Sequence, residues 1–589
     1  MYKCAGDIVP PIYKDIQLQN FSRKAATVKL ENVFEEAKRN AEQQSVNYCL
    51  TKEAKQDFIQ KHKNVVMLVG PAGIGKTTAI KHLGTKILDK HVSSDVKWVF
   101  YIDCKQIDHE TKTTIFHFLL AESGCRNECE ISSENGAAAL KGLIETSGAE
   151  CLILLDGLEE IGAAKLSQVK DKRYSTEDTH KAAEHIFCLL TGRFLKYAKK
   201  LCTARKSTAE VLRKRIQFPT VLASLGFSMN DQDDIGKAMC PEKWFNVKAR
   251  LDQNAYLREI CKVPFVCIVV MHCLELSLED EQNAVNLRTV TGILIYAMEC
   301  CVNKLENGTD RNELDKLCAF AWSKFTNRKD GFESFGIGDG LKSIFMRSEE
   351  TRIGFICKTD FYHILWQHFF AALHAVTKLT IDEFREFFRL RNMLDTDKES
   401  FTCFLFGLCN ETNLALSLCT KSIPNKCKEW SGKRGILRDR AVEAAEFAKG
   451  SHCYSKRIHT LFQVGGWLKE TTDDNLLREV DNYVPKTVTL ADKVYPSDVN
   501  ALMHLFKLDI SERQLDVGIM SSPRFQGDSL LLLFHSVSLM RKLFVSRPRF
   551  VSSPLIDWML NDTFYFCNKT FFLHIKTLHN RASVLQLIH

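Results

Sequence analysis

The stretch VVMLVGPAGIGKTT, from Val65 to Thr78, decides the fold of this 589-residue chain. Its five leading apolar residues predict a short buried strand, and the pattern from Lys76 to Leu88 predicts a helix. The loop between them fits the phosphate-binding motif G-x-x-x-x-G-K-[ST]. The motif predicts that the following residues bind a nucleotide: Gly70, Pro71, Ala72, Gly73, Ile74, Gly75, Lys76, Thr77 and Thr78.

Each part of this motif has a chemical role. Glycine lets the backbone turn tightly around phosphates, so that successive N–H groups point inward. The start of a helix adds the positive end of its dipole. Lys76 supplies a mobile charge for the β- and γ-phosphates, and the hydroxyl of Thr77 ligates Mg²⁺. The expected ligands are therefore ATP or ADP with Mg²⁺.

A second acidic element follows the apolar strand CLILLD, Cys151 to Asp156. P-loop proteins place at such a strand end the carboxylate that holds Mg²⁺, so Thr77 and Asp156 are the predicted metal ligands. Glu159 and Glu160 follow, and a carboxylate at this point can orient an attacking water. A solvated acidic loop is the alternative interpretation of these two glutamates.

Strand and helix signals alternate around these motifs. WVFYID (98–103) predicts a strand, residues 181–194 predict a helix, and a weaker strand ends near Thr203. Such alternation predicts an α/β domain with a parallel sheet flanked by helices. Residues 1–30 are polar and predict a tail, and a charged helix follows from residue 30 to about 61. From about residue 225 to 480 helical signals dominate, so we expect a multi-domain chain.

Composition excludes several classes of protein. The formal net charge is +8 with both signs well mixed, and no dense basic run predicts nucleic-acid binding. The amino terminus does not resemble a signal peptide, and the apolar runs are too short for a membrane span. The 22 cysteines contain no Cys-x-x-Cys pair, and many lie in apolar runs. We therefore expect a cytoplasmic protein with reduced thiols and no zinc site.

The segment LLDGLEE (154–160) resembles the NACHT family, the nucleotide-binding module of NOD-like receptors. Those proteins typically show a small residue after the magnesium aspartate and two acids two residues later. Glu159 stands here in place of the usual Asp, whereas Glu160 matches. The resemblance therefore implies a catalytic, water-orienting role mainly for Glu160.

Two further segments resemble the same domain. FYIDCK (100–105) is similar to the family's second strand. Residues 190–205, LTGRFL to CTAR, resemble the helix and sensor strand, although Lys206 replaces the family's proline. The resemblance implies that Arg205 senses the γ-phosphate, and a surface arginine is the alternative.

The segments that follow resemble the family's helical domains. LGFS (225–228) is similar to the start of the first one, and CKVPF (261–265) to its proline motif, which implies contact between Pro264 and adenine. FYHILWQHFFAAL (361–373) resembles the winged-helix segment, although His368 stands where the family has Glu. This match implies that His363 reaches the β-phosphate of ADP, since imidazole is a charge-assisted donor to phosphate. A satisfied core histidine is the alternative.

The resemblance also implies a domain order. A β-wing is predicted at ETRIGF (350–355), FLFGL (404–408) resembles the second helical domain, and LFKLDIS (505–511) resembles the first strand of one leucine-rich repeat. We find no convincing repeat of 20 to 50 residues. The expected domains are 1–45 (tail or linker and helix), 46–222 (P-loop nucleotide-binding domain), 223–285 (first helical domain), 286–378 (winged helix), 379–500 (second helical domain) and 501–589 (carboxyl-terminal segment).

The function that the resemblance implies is a molecular switch in innate immune or inflammatory signalling. ADP would hold a closed state through His363, and exchange for ATP would allow self-association or contacts with other NOD-like receptors or signalling proteins. Weak ATPase activity would reset the switch. The chain is expected to lack an amino-terminal death-fold domain and clear leucine-rich repeats. Two alternatives stay open: a scaffold or decoy with ADP as a structural cofactor, and a metabolic P-loop kinase or transporter ATPase, against which the absence of an LSGGQ-like string argues.

Overall fold

The computed structural model divides the chain into two compact units. The first contains Met1–Arg288, Ala297–Leu317 and Lys329–Gln367, and the second contains Thr289–Tyr296, Cys318–Arg328 and His368–His589. The structure describes residues 17–20, 27–47, 56, 59, 64–70, 72–88, 95–96, 98–105, 107, 109–122, 142, 148–170, 174–213, 215–216, 220–253, 255–278, 289–303, 311–326, 335–347, 360–361, 363–394, 398–409, 426–451, 454–471, 473–490, 501–502, 504–506, 514–518, 542–547, 572–577 and 583–586.

Among the described residues of the first unit, seven strands form one sheet in the order β2-β1-β7-β3-β6-β5-β4. These strands are β1 (Gln17–Asn20), β2 (Thr27–Val28), β3 (Val65–Val69), β4 (Trp98–Asp103), β5 (Cys151–Asp156), β6 (Lys199–Ala204) and β7 (Thr220–Gly226). The five strands from β7 to β4 are parallel, as the alternation of strand and helix signals predicts. The short strands β1 and β2 extend this sheet with antiparallel pairing.

Apolar residues on both faces explain why the central strands read as continuous hydrophobic runs. In β3, Val65, Met67 and Val69 pack into one core cluster, whereas Val66 and Leu68 pack into a second cluster. Successive side chains of a strand point to opposite faces, so the two clusters form the two layers against which helices pack. The phosphate-binding loop emerges from the carboxyl end of this fully buried strand.

Helices of the first unit surround the sheet and continue beyond it. Up to residue 288 they are α1 (Val33–Asn47), α2 (Lys76–Leu88), α3 (Ile115–Glu122), α4 (Ala163–Gln168), α5 (Ala182–Leu190), α6 (Lys206–Arg213), α7 (Met229–Met239), α8 (Trp244–Gln253), α9 (Ala255–Ile260) and α10 (Pro264–Ser277). After residue 288 they are α11 (Val290–Asn303), α12 (Arg311–Phe325) and α13 (Asp339–Phe345). Residues of α11 and α12 are divided between the first and the second unit. In the described part of the chain, no helix has both the length and the apolar character needed to cross a membrane.

The strand and helix positions agree with the sequence in most places. The bounds of β3, β4, β5 and α2 are those predicted, and the predicted helix at 181–194 is Ala182–Leu190. Two differences concern the sheet. Residues 17–20 and 27–28, predicted as part of a tail, form β1 and β2, and β7 extends to Gly226, past the residue 222 at which we expected the domain to end. The helical segment expected near residue 225 starts at Met229, after Ser228 has capped it through the N–H of Asp231.

A short antiparallel ribbon lies in the segment predicted to be a winged helix. It pairs β8 (Met346–Arg347) with β9 (Asp360–Phe361). The predicted β-wing at residues 350–355 falls between these strands and lies outside the described residues. Helix α14 (Ile364–Lys378) begins directly after His363.

Helices and a smaller sheet make up the second unit. Its further helices are α15 (Ile381–Phe387), α16 (Leu390–Met393), α17 (Glu399–Leu408), α18 (Lys426–Gly450), α19 (Tyr454–Thr471) and α20 (Asp474–Asp481), and its strands are β10 (Thr487–Leu490), β11 (Gln514–Gly518), β12 (Lys542–Arg547), β13 (Phe572–Thr577) and β14 (Ser583–Gln586). The first four strands are parallel, and β14 is antiparallel to β13.

The register of this sheet reveals a regular interval that we did not find in the sequence. Val488, Leu515, Leu543 and Leu573 occupy equivalent positions on successive strands, at intervals of 27, 28 and 30 residues. One parallel strand per repeat of about this length is typical of solenoids. The proposed repeat strand at residues 505–511 is not part of the described sheet: Leu505 lies in a helical turn, and residues 507–511 lie outside the described residues.

Candidate functional site

The phosphate-binding loop has the backbone geometry that its glycines allow. Gly73 and Gly75 have φ values of +79° and +90°, in the left-handed region that favours glycine. The N–H of Gly70 donates a hydrogen bond to the carbonyl of Ala204 at 3.3 Å, which ties the loop to the end of β6. Helix α2 begins at Lys76, so its amino end and its dipole face the loop. Pro71 lies outside the described residues.

Lys76 lies at the centre of a charged cluster. Its side chain is 8% exposed, and Nζ donates a hydrogen bond to the carbonyl of Gly70 at 2.7 Å. Burial lowers the pKa of Lys76, and the carboxylates of Glu159, Asp156 and Glu160 oppose that shift. The side chains of the next two residues, Thr77 and Thr78, are exposed at the start of α2. A buried ammonium beside an accessible hydroxyl is suited to phosphate and Mg²⁺.

Asp156 is held by hydrogen bonds to both of its oxygens. The hydroxyl of Thr203 donates to Oδ1 at 2.6 Å, and the hydroxyl of Tyr101 donates to Oδ2 at 3.1 Å. Thr203 in turn accepts a hydrogen bond from the N–H of Gly157 at 2.7 Å. Partners of this kind fix the orientation of a carboxylate that ligates a metal.

The donor set at this position fits Mg²⁺. In the described part of the chain, no group of three or more His, Cys, Asp or Glu side chains could hold a metal ion by itself. Mg²⁺ usually keeps several waters and binds through one or two protein ligands together with phosphates. The accessible hydroxyl of Thr77 and the oriented carboxylate of Asp156 match that requirement.

The two glutamates after β5 have different surroundings. Gly157, with a φ of +79°, starts the turn Leu158–Glu160. The carboxylate of Glu159 accepts a hydrogen bond from the backbone N–H of Arg205 at 3.2 Å, and Nε of Arg205 lies 3.3 Å from it, an ion pair without the alignment of a hydrogen bond. Glu160 is exposed, but neighbouring protein groups displace part of the water around its carboxyl group and thereby raise its pKa. The positive charges of Lys105 and Arg205 oppose this rise. Glu159 therefore anchors Arg205, and Glu160 is the more accessible carboxylate.

Residues distant in sequence pack over Gly73. A Cβ atom added to Gly73 would lie 2.9 Å from Cε1 of His363, 3.1 Å from Cγ1 of Val263 and 3.2 Å from Cδ1 of Leu365. Nδ1 of His363 accepts a hydrogen bond from the N–H of Leu365 at 3.2 Å, so the proton of a neutral ring is on Nε2. The imidazole therefore touches the phosphate-binding loop.

Pro264 belongs to the same neighbourhood. It is the first residue of α10, where proline is well accommodated, and it directly follows Val263. The turn before it docks on the end of β7, because the N–H of Phe227 donates to the carbonyl of Lys262 at 2.9 Å. This contact positions the start of α10 beside the loop.

The comparison with known families agrees with this geometry. Residues 64–243 match the NACHT domain, and the match covers the loop, the strand ending in Asp156 and the strand that precedes Arg205. Residues 64–243 therefore form a NACHT domain.

Relatives match the chain over much of its length. NACHT, LRR and PYD domains-containing protein 14 from Homo sapiens is 22% identical over 472 residues, which are 73% of this chain and 40% of the relative. Nucleotide-binding oligomerization domain-containing protein 1 from Homo sapiens is 24% identical over 258 residues, 42% of this chain and 26% of the relative. NACHT, LRR and PYD domains-containing protein 6 from Mus musculus is 25% identical over 382 residues, 59% of this chain and 41% of the relative. The chain spans less than half the length of each of these relatives.

Most residues predicted for the site lie together around the phosphate-binding loop. Glu159, Glu160 and Arg205 converge with Asp156 near Lys76, and His363 contacts Gly73. Their roles toward a nucleotide stay predictions. The adenine contact of Pro264 is also untested, although the residue beside it packs on Gly73.

Sequence reasoning missed the side chains that support these groups. Tyr101 and Thr203 orient Asp156, Phe265 stacks on the ring of His363, and Lys105 donates a hydrogen bond from Nζ to Oε1 of Gln367 at 3.2 Å. Tyr101 and Thr203 lie on strands next to β5, so their partners depend on strand order and register. Both residues lie near the carboxyl ends of strands that the sequence predicted to be parallel, and this position could have identified them as neighbours of the site.

Proposed function

We propose that this chain is an adenine-nucleotide switch of the NOD-like-receptor type, acting in the cytosol in innate immune or inflammatory signalling. ADP with Mg²⁺ stabilises a closed state, exchange for ATP opens it for self-association or for contacts with other signalling proteins, and slow ATP hydrolysis resets it. One observation carries the proposal: the imidazole of His363, far along the chain, packs directly on Gly73 of the phosphate-binding loop.

This contact supplies what a nucleotide switch requires. A ligand shifts a conformational equilibrium only through contacts that differ between the two states. An imidazole at the loop contributes a donor to phosphate in the closed state and none when the segment of His363 moves away. Open and closed states would then differ in their affinity for ADP.

Binding depends on groups that the chain already presents. The backbone N–H groups of the loop and the amino end of α2 attract phosphate, and Lys76 adds a positive charge. Thr77 and Asp156 would hold Mg²⁺, which when bound neutralises phosphate charge. Lys76 would then exchange its hydrogen bond to the carbonyl of Gly70 for a phosphate oxygen.

Hydrolysis would use the accessible carboxylate after β5. Glu160 has a raised pKa, and a higher pKa makes its carboxylate a better acceptor for a proton from water. Arg205 lies close enough to Lys76 to lower its pKa, and so lies within reach of the same phosphates. The side chain of Glu159 holds Arg205 in this position.

One observation favours a second candidate, an interaction scaffold in which ADP is a permanent structural cofactor. The guanidinium of Arg205 is already paired with Glu159, and this pairing reduces the charge that it can direct at a γ-phosphate. A scaffold needs the same ADP site and no hydrolysis.

Reduced thiols support the cytosolic placement. Cys104, Cys151 and Cys202 are buried and carry free thiols. Burial raises the pKa of Cys151 to about 12, so this sulfur stays protonated and unreactive at neutral pH.

Mass spectrometry of nucleotide released from the purified protein tests the proposal. We expect ADP at close to one equivalent, and Lys76→Ala should lose it. An empty site after gentle purification, together with no stabilisation by ADP or ATP in the presence of Mg²⁺, would contradict nucleotide binding. Steady-state phosphate release separates the two candidates: Glu160→Gln should lower the rate at least tenfold in a switch that hydrolyses ATP, whereas a background rate equal to that of the variant supports the scaffold.

A further inference from the structure

The ring of His363 is stacked on a phenylalanine that the proposed switch does not yet use. The centroids of the Phe265 and His363 rings lie 3.9 Å apart, and the ring planes differ by 3°. Phe265 is 8% exposed, and the ring of Trp366 approaches it edge-on with centroids 6.1 Å apart. The imidazole therefore has a parallel aromatic surface on one side, and that surface is itself held in place.

Three contacts together define the position of the imidazole. The N–H of Leu365 donates to Nδ1 and sets the rotation of the ring about its own axis. Phe265 sets the ring plane. Gly73 leaves the space that the Cε1 edge occupies, because an added Cβ would lie 2.9 Å from that atom. Cε1 lies between the two ring nitrogens, so Nε2–H is on the side of the ring next to the loop.

We infer that Phe265 is a positioning residue for the nucleotide site: it holds the imidazole of His363 in the orientation that favours ADP. The inference rests on the proposed function, since it assigns a role toward the same ligand. An imidazole side chain without the stack can rotate about two torsions, and fixing them before the ligand arrives lowers the entropic cost of binding. With Nδ1 accepting from the N–H of Leu365, the ring held in this way presents Nε2–H as its donor.

The place of Phe265 in the chain gives the stack a second consequence. It follows Pro264 directly in the first turn of α10, and Val263 on the other side packs on Gly73. The segment predicted to contact adenine and the imidazole predicted to contact phosphate are thereby packed against each other. ADP would be bound by one connected structure, and loss of the stack would weaken that connection without removing any phosphate ligand.

A double-mutant cycle in the full chain tests the role of Phe265. Dissociation constants for ADP and ATP with Mg²⁺ are measured for wild type, Phe265→Leu, His363→Ala and the double variant. Because an aromatic pair contributes modestly beyond its buried area, Phe265→Leu should weaken ADP binding about three- to tenfold and ATP binding less than twofold. In the His363→Ala background the same substitution should change ADP binding less than twofold, because Phe265 acts through the imidazole. Phe265→Tyr keeps the ring and should retain ADP affinity within twofold.

Phe118→Leu is the matched control. Phe118 stacks on His185 with centroids 4.9 Å apart, in the same unit but outside the residues around the loop. The substitution Phe118→Leu also removes a stack between a phenylalanine and a histidine ring, so it should lower thermal stability. It should not change the ratio of ADP affinity to ATP affinity. If Phe265→Leu does not fold, Phe265→Met replaces it in the cycle.

The outcomes distinguish the inference from the proposed function. If wild type binds neither nucleotide, the switch fails and the role of Phe265 fails with it. If wild type binds ADP and His363→Ala weakens it, but Phe265→Leu has additive effects or weakens ADP and ATP equally, the switch stands and the positioning role is wrong. Additivity would indicate that Phe265 contacts the base directly.

Discussion

Lys200 carries its amino group into the buried part of β6. The side chain is fully buried in β6, where Nζ donates a hydrogen bond to the carbonyl of Leu195 at 2.7 Å. Burial lowers the pKa of Lys200 to about 7. Among the residues that the structure describes, no carboxylate pairs with this amine, and its burial is costly because its charged form has lost most of its hydration.

Lys200→Met should therefore stabilise the protein. We expect the free energy of unfolding to rise by about 1–3 kcal/mol at pH 7. Methionine removes the desolvation cost of the amine, and this gain exceeds the loss of one hydrogen bond to Leu195. The folded-state pKa lies below that of the unfolded chain, so the cost is largest below pH 7 and disappears as the pH rises toward 10.5. Urea unfolding at pH 7 and pH 10 should show the gain at pH 7 and a smaller one at pH 10.

Lys199→Met is the control for Lys200→Met. It removes the same charge from the neighbouring position, where Nζ lies 3.1 and 2.9 Å from the two oxygens of Asp95. No gain is expected from it. A loss of stability in Lys200→Met, or a gain that does not change with pH, would show that the buried amine is not the cause.

The sequence predicted residues whose function depends on local spacing. Lys76 and Thr77 belong to a contiguous motif, and Asp156 ends an apolar strand, so their chemistry can be read without a fold. Tyr101, Thr203 and Phe265 could not be assigned in this way. Each acts on a residue from another segment, and those pairings require the register of β4, β5 and β6 and the docking of α10.

Strong hydrophobic patterns explain which elements were predicted with the right bounds. β3 and β5 are buried on both faces, and a run of five apolar residues marks each of them. β1 and β2 are short strands at one side of the sheet, and β1 joins them to it by pairing with β7, a distant segment of the chain. In β11–β13, only two positions of the register are occupied by an aliphatic residue on all three strands. This signal is too weak to identify the interval of 27–30 residues from the sequence.

The junction between β7 and α10 depends on Gly226. Its φ is +79°, and an added Cβ would lie 1.9 Å from the carbonyl oxygen of Lys262 and 2.7 Å from Cδ1 of Ile74. Gly226→Ala should therefore destabilise the protein by about 2–4 kcal/mol, as both the backbone conformation and the space are incompatible with a side chain. Thermal unfolding measures the loss. ADP affinity should fall as well, because this junction places Val263 on Gly73.

Gly435→Ala is the opposite case and the control for Gly226→Ala. Gly435 lies inside helix α18, and a Cβ there would meet no atom within 4 Å. Alanine should stabilise by about 0.5–1 kcal/mol through its helix propensity. If Gly226→Ala behaves like Gly435→Ala, the junction is less tightly packed than the structure indicates.

Across the whole molecule, the two units should respond differently to acid because they bury different titratable groups. His185 in the first unit is fully buried, its Nε2–H donates to the carbonyl of Thr113 at 2.7 Å, and burial lowers its pKa to about 4. Glu470 in the second unit accepts hydrogen bonds from the N–H groups of Val290 and Thr291, and burial raises its pKa. As the pH falls below about 6.5, His185 takes up a proton in the unfolded chain before it does so in the folded chain, so acid destabilises the first unit. Glu470 takes up its proton in the folded chain before it does so in the unfolded chain, so acid does not destabilise the second unit through this group.

Acidification from pH 7 to pH 5 should therefore separate two unfolding transitions. The first unit should lose roughly 2 kcal/mol, or several degrees in midpoint, while the midpoint of the second unit stays or rises. Calorimetry gives the midpoints, and limited proteolysis with mass spectrometry assigns them to segments. His185→Gln keeps a donor for Thr113 but does not titrate, so it should reduce the acid shift, whereas His117→Gln, at an exposed histidine of α3, should retain it. If both midpoints fall together, or if His185→Gln leaves the acid shift unchanged, the acid response does not arise from this buried imidazole.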